Sequence, residues 1–305
     1  MYFFQPPPFL QPGDCIGLAA LSQWVDPEPV EAFKAWIQEK GFQIKEADNL
    51  YTRSGSLAGT LAARRQGFAD LLKDNSIKAI WFVRGGYGAG WVLHKWGDDL
   101  LQHNPKWLIG FSDLTRLHLR CYRLGLLSLH ADMPGRFLRA ERENFEAALK
   151  TLQGQAPSYT WPSSAINQAG EAKGRLVGGN LSMLANAVGG PDSLQLQDEI
   201  LFWEEVDEYR YAIDRMLFQL NVAGVLKNRA WLAGIAQNWH EQEPYAFSKT
   251  DHQFLESYLE KNTPSCTDAP FGHAKKNLPL VLGAPTTLKV NPAGSCVLQQ
   301  QWGTD

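Results

Sequence analysis

The chain has 305 residues, 44% hydrophobic and 20% charged, enough to bury a sizeable core and, by size, to form about two domains. Its 29 basic and 32 acidic residues give a net charge of −3 and are interspersed, so no basic stripe points to nucleic acid or to an anionic membrane. The composition also excludes a disordered or fibrous chain.

The opening stretch MYFFQPPPFLQPGD has no early Lys or Arg and breaks its apolar residues with Pro6, Pro7 and Pro8, unlike a signal peptide. No apolar run approaches the ~20 residues that cross a bilayer, so a cytoplasmic location is expected. CIGLAAL (15–21) reads as a buried strand. DPEPVEAFKAWIQEKGF follows as a helix with Val30, Phe33 and Ile37 on one face and Gly41 as its stop. Next come a short FQIKEA strand, a helix over 61–73 carrying Leu61, Phe68, Leu71 and Leu72, and a strand IKAIWFV (77–83). WLIGF, a helix beginning near Asp113, and LLSLH (126–130) continue the alternation. Strand and helix in turn predict a mostly parallel sheet with helices on both faces, whose ligands sit beyond the carboxyl ends of the strands.

Residues 151–173, rich in Pro, Ser, Gly and Gln, read as a linker between a domain over 1–150 and a second over 174–305. In the second half ILFWEEV (200–206) and LPLVLGAPTTLKV (278–290) read as strands, and YAIDRMLFQLNVAG as a helix ending in glycine. Cys15, Cys121, Cys266 and Cys296 are far apart and form no CxxC pair, so reduced, buried thiols are expected and no zinc site.

Four features carry possible chemistry. Ser112, in WLIGFSDLTRLH, stands where a strand turns into a helix; it reads either as an N-cap or as a nucleophile on a tight strand-to-helix turn. VRGGYGAG (83–90) follows a strand, and its glycines let backbone N–H groups face a phosphate or a developing oxyanion, or simply make a turn. It matches neither GxGxxG nor a Walker loop. Glu204 and Glu205 end an apolar strand; strand alternation turns one of them inward, where a carboxylate needs a partner such as a histidine, while a solvated strand end is the plainer reading. His273 lies in the Gly-flanked turn PFGHAKKN, and His130, at a strand end, is its rival for the same cleft. No metal-ligand spacing occurs among the seven histidines.

With those residues in view, the chain resembles the LD-carboxypeptidases of muropeptide recycling, serine peptidase family S66, which also contains the microcin C immunity peptidases. RGGYG, GFSD, GGNL and FGH occur in the family's order, within LQPGDCIGLAALS, GSLAGTLAARRQGFADLLKDNSIKAIWFVRGGYGAGWVL, LIGFSDLTRLH, GRLVGGNLSMLANAVGGP, FWEEVDEYRYAIDRMLFQL and FGHAKKNLPLVLGAP. The resemblance implies a Rossmann-like N-terminal domain, a β-rich C-terminal domain and an active site in the cleft between them. It also implies Ser112 as nucleophile, His273 as general base and Glu204 as the acid that orients it, with Glu205 in a neighbouring acidic position. The implied oxyanion hole takes a backbone N–H from Gly85 or Gly86 and that of Asp113. HADMPG (130–135) departs from the family's His-Gly-Pro-Met turn, leaving the pocket near His130 open. The implied substrate is a murein tetrapeptide losing terminal D-Ala, and the implied assembly is a cytoplasmic homodimer without cofactor. Arg84 is a candidate for the substrate carboxylate, or braces its loop in an ion pair. Alternatives are an aminoacyl-nucleotide amide as substrate, with Trp231 or Trp239 as base platform or as core, and a non-catalytic muropeptide-binding protein.

Overall fold

The computed structural model describes residues 4–164, 167–227, 230–234, 238–241, 251–259, 262–291 and 294–302. The first half alternates β1 (Cys15–Ala19), α1 (Pro27–Glu39), β2 (Gln43–Glu46), α2 (Leu61–Lys73), β3 (Ile77–Phe82), α3 (Ala89–Leu93), α4 (Asp99–His103), β4 (Trp107–Gly110), α5 (Thr115–Arg123), β5 (Ser128–His130) and α6 (Arg142–Leu152). β6 (Ser158–Pro162), β7 (Gly170–Asn180), α7 (Leu181–Ala187), β8 (Ile200–Glu204), α8 (Arg210–Val222), β9 (Ala230–Gly234) and α9 (Asp251–Glu256) follow. β10 (Ser265–Ala269), β11 (Leu280–Leu282), β12 (Pro285–Val290) and β13 (Ser295–Gln300) complete the order.

The first sheet runs β11-β5-β4-β3-β1-β2, parallel throughout except for β11. β1, β3, β4 and β5 bury both faces, which is why they read as apolar runs, whereas β2 (QIKE) lies half-exposed at the sheet edge. Ala79, Trp81, Trp107 and Ile109 join Phe33 of α1 and Phe145 of α6 in one core, while Ile80, Phe82 and Leu108 meet Phe68 of α2 and Leu117 of α5 in another. Trp81 is fully buried and its Nε1 donates to the Asp132 carbonyl at 2.8 Å, which fixes the turn after β5 against β3.

The second sheet runs β10-β9-β8-β7-β12-β13-β6, parallel from β10 to β7 and antiparallel beyond. Two expectations change here. The 151–173 stretch, expected as a linker, holds the end of α6, all of β6 and the start of β7. β6 escapes a periodicity reading because it is five residues long, lies at the sheet edge and ends in Pro162, a residue that edges tolerate. The run 278–290, expected as one strand, divides at Gly283 (φ +88°): β11 adds to the first sheet and β12 to the second.

The sheets meet along α5. Arg120 Nε and Nη2 clasp the buried Asp192 carboxylate at 3.2 and 3.1 Å, and Thr115 Oγ1 accepts the Asn180 N–H at 3.0 Å. A bidentate guanidinium–carboxylate pair fixes both distance and orientation. The helix that starts at the Ser112 turn is thereby locked to the end of β7.

Candidate active site

β4 ends at Gly110, and the chain turns at once through Phe111 into a short 3-10 turn, Ser112–Leu114. Ser112 adopts φ +63°, a conformation that side-chain-bearing residues avoid and that a nucleophile elbow imposes. The capping role expected of Ser112 is not found: the residue flanking the turn is Phe111, and no side chain caps it. Ser112 lines the cleft, and its side chain caps no helix donor.

The RGGYG loop lies directly on this turn. A Cβ built at Gly85 would stand 3.0 Å from Ser112 Cβ, 3.2 Å from its Oγ and 3.4 Å from the Asp113 nitrogen, so glycine permits the close approach. Asp113 is buried, and its Oδ2 accepts from Ser22 Oγ and from the Ala89 N–H at 2.8 Å. Its side chain therefore ties the glycine loop, the end of β1 and the serine turn together. The N–H groups of Gly85, Gly86 and Asp113 have no hydrogen-bond partner among the described residues. Unpaired backbone donors beside a serine are of the kind that can receive a developing oxyanion.

Glu204 and His273 arrive from the second half. All of β8 is buried, and Glu204 closes it with no exposure. His273 Nδ1 lies 2.6 Å from Glu204 Oε2. A Cβ at Gly272 (φ +116°) would come within 2.8 Å of that same carboxylate oxygen, so the loop can bring His273 down onto Glu204 only with glycine before it. Burial disfavours charge on both groups, and their mutual attraction outweighs it: His273 titrates above, and Glu204 below, the ordinary range.

Strand alternation predicts one inward glutamate, yet both are buried, because the strand stops at Glu204 and the chain folds back. Glu205 accepts from Asn180 Nδ2 at 2.9 Å, the Ser182 N–H at 2.8 Å and the Val206 N–H at 3.0 Å. Burial, and then the neighbouring Glu204, push its pKa up to about 7.

Ser112 and His273 share the walls of one cleft of about 490 Å³ with Arg84, Gly85, Gly86 and Phe111. The Phe111 ring lies 4.8 Å from the imidazole. Glu204 and His273 are hydrogen-bonded to each other, whereas Ser112 Oγ makes no hydrogen bond among the described residues.

His130, the rival base, is not on the cleft wall. It is wholly buried between Phe111 and Phe202, and burial lowers its pKa to about 3. Arg84 does line the cleft, but its Nη1 donates to the Trp24 carbonyl at 2.7 Å rather than to a carboxylate, so the expected ion pair is replaced by a backbone bond. Trp231 is buried in the core and Trp239 packs partly buried against it, so neither offers a platform in the cleft.

Sequence reasoning missed the residues that hold the histidine loop. Arg136 Nη2 donates to the carbonyls of His273 (3.1 Å) and Ala274 (2.7 Å), and its Nε lies 3.3 Å from Asp132. Asn144 Nδ2 bonds Asp132 Oδ2 at 3.0 Å and the Lys275 carbonyl at 2.8 Å, and Asn144 Oδ1 accepts the Asn277 N–H at 3.0 Å. The one available signal was the departure HADMPG, which contains Asp132 and ends beside Arg136.

The LD-carboxypeptidase N-terminal domain matches residues 16–131, and the LD-carboxypeptidase C-terminal domain matches residues 173–288. A Bacillus subtilis protein named "Probable murein peptide carboxypeptidase" is 30% identical over 92% of this chain and 91% of its own. This chain belongs to the LD-carboxypeptidase family. Membership of this peptidase family, S66, makes it a serine carboxypeptidase, a hydrolase of peptide bonds. The crystal structure of a muramoyltetrapeptide carboxypeptidase from Oxalobacter formigenes superposes with a TM-score of 0.84 at 25% identity, covering 95% of this chain and all (100%) of that one. The family is broader than one substrate: the microcin C7 self-immunity protein MccF of Escherichia coli is 24% identical over 88% of each chain. Among the described residues no group of three or more His, Cys, Asp or Glu is placed to hold a metal ion, and no helix is long and apolar enough to cross a membrane.

Proposed function

We propose that this LD-carboxypeptidase hydrolyses the amide joining terminal D-Ala to the L-centre of the diamino acid in murein tetrapeptides, through an acyl-enzyme on Ser112. The observation that carries the reading is the 2.6 Å pair of His273 Nδ1 and Glu204 Oε2, in the same cleft as a serine held at φ +63°. With Nδ1 engaged by the carboxylate, Nε2 is the nitrogen left to take the serine proton as Oγ attacks the scissile carbonyl. The carbonyl π electrons move to oxygen, which Asp113 N–H and Gly85 or Gly86 N–H receive. Collapse expels D-Ala, whose nitrogen takes the proton back from His273, and water then repeats the sequence on the ester. Each oxyanion donor is worth about 3 kcal/mol in such sites.

The same reading places the enzyme in the cytoplasm, in peptidoglycan recycling, as a homodimer whose nucleophile comes from residues 1–150 and whose acid and base come from residues 174–305. The test is release of D-Ala from a murein tetrapeptide, with Ser112→Ala as control. Release by the wild type and none by Ser112→Ala is expected. A folded wild type that releases none overturns the substrate, and full activity in Ser112→Ala overturns the mechanism.

A further inference from the structure

A second cavity, of about 470 Å³, opens between α3, α5 and α7. It adjoins the cleft at a single turn of chain: Ser112 walls the cleft and Asp113 walls the second cavity. The glycine loop divides in the same way, giving Gly85 and Gly86 to the cleft and Tyr87 and Gly88 to the cavity.

Two features of this cavity are unexplained by the fold. Tyr87 and Trp91 are each 56% exposed, unusual for large aromatics, and are held together by a 2.7 Å bond from Trp91 Nε1 to Tyr87 Oη. The second is Arg116, also on the wall, whose Nη1 is shielded from solvent and has no hydrogen-bond partner among the described residues. A shielded guanidinium nitrogen without an acceptor is costly, and a carboxylate is the group that matches its paired donors. Asp113, the acidic neighbour on that wall, already uses Oδ2 for Ser22 and Ala89.

The geometry points to this cavity as the pocket for the diamino acid side chain, with Arg116 receiving a carboxylate at the end of that side chain and Tyr87 and Trp91 covering its methylenes. The inference rests on the proposed tetrapeptide reaction at Ser112. Reach decides between the two carboxylates of such a peptide. The terminal D-Ala carboxyl carbon lies about 4 Å from the scissile carbonyl carbon, too near to leave the cleft. A six-bond diamino acid side chain ending in a carboxylate extends about 7 Å, and Arg116 follows Ser112 by a rise of about 7 Å along the 3-10 turn and helix. The pocket therefore selects diaminopimelate-type side chains over lysine-type ones, which share the methylenes and lack the carboxylate.

The test compares two tetrapeptides that differ only in that carboxylate. Wild-type kcat/KM should favour the carboxylate-bearing peptide by roughly 10- to 100-fold, and Arg116→Gln should bring the ratio to about one. Equal, measurable wild-type rates on the two peptides, or an Arg116→Gln variant that keeps the ratio, overturn the inference. If Arg116→Gln fails to fold, Arg116→Lys, which keeps the charge and loses the fork, should lower the ratio severalfold; an unchanged ratio overturns the inference. Calorimetric titration of both peptides into Ser112→Ala separates the two readings. A wild type that cleaves neither peptide, with the binding ratio retained, defeats the reaction and leaves the pocket standing. Loss of the binding ratio defeats the pocket.

Discussion

Gly85→Ala is the sharpest single perturbation of the proposed site. Gly85 is not among the glycines with positive φ, so alanine meets no backbone penalty and the effect is steric alone. The new methyl would stand 3.0 Å from Ser112 Cβ and 3.4 Å from the Asp113 nitrogen, between the nucleophile and a proposed oxyanion donor. Carbon atoms prefer about 3.5–4.0 Å, so the neighbours must yield by roughly half an ångström. Overpacking of this kind costs about 1–3 kcal/mol, and the lower end applies because Ser112 borders an open cleft. The kinetic cost is larger, since blocking one oxyanion donor removes about 10²–10³ in kcat. Two measurements separate the terms: urea denaturation for stability, and D-Ala release under saturating tetrapeptide for kcat. A folded Gly85→Ala enzyme that turns over at the wild-type rate would refute both the placement of the oxyanion and the role of the loop.

Other substitutions test the remaining parts. Glu204→Gln removes the carboxylate that holds His273 protonated against burial, so the acid limb of kcat/KM should move to lower pH while the plateau falls by about 10⁴; a limb that stays in place refutes the pairing. Arg136→Gln leaves the buried Asp132 carboxylate without its cation and frees two carbonyls of the histidine loop; denaturation should show a loss of about 3–5 kcal/mol, largely recovered when Asp132→Asn is added. Glu205, with a folded pKa of about 7 against an unfolded value of 4.5, keeps its proton in the folded chain where the unfolded chain has lost it. Stability should therefore fall by about 3 kcal/mol as pH rises from 4.5 to 7, and Glu205→Gln should flatten that slope in denaturant titrations at pH 5 and 8.

What could be read from the sequence was whatever depends on neighbours along the chain. Val30, Phe33 and Ile37 share the buried face of α1, and glycines at 85 and 86 after a strand announce a backbone that something must approach closely. The serine turn was ambiguous because a cap and an elbow use the same residue type at the same place; φ decides between them, and φ is not written in the composition of the turn. Arg136 could not be assigned because its partners, His273 and Ala274, lie 137 and 138 residues away. The same holds for Asn144, whose bonds to Lys275 and Asn277 span 131 and 133 residues. His130 misled because a strand end looks open in sequence; here β11 pairs it on one side, β4 on the other, and Phe111 and Phe202 close over the ring.

The division of 278–290 into two strands explains how His273, from one half, reaches Ser112 in the other. β11 lies antiparallel to β5, with Leu280 opposite His130 and Leu282 opposite Ser128. Its first residue is therefore at the carboxyl end of β5, the edge of the sheet from which Ser112 also emerges after β4. Had β11 run parallel, the chain preceding it would enter at the opposite edge, and His273, seven residues before Leu280, would lie a strand length from the cleft. Gly283 then turns the chain into β12, which pairs β7, and β7 in turn pairs β8 with Asn180 opposite Glu204. The segment 272–290 thus runs from His273, through the sheet that leads to Ser112, into the sheet that carries Glu204. The Val281 backbone bonds the Gln300 side chain on the far side, so by antiparallel alternation Leu280 and Leu282 are the residues that bond β5. Spacing between His273 and Ser112 is set by β-ladder register on both sides rather than by a hinge, so a variant that breaks β11 pairing, such as Leu282→Pro, should lose activity before it loses the helical circular dichroism of α1 and α6. If Leu282→Pro instead lost both together, the two halves would unfold as one unit and the register would not act separately on the site.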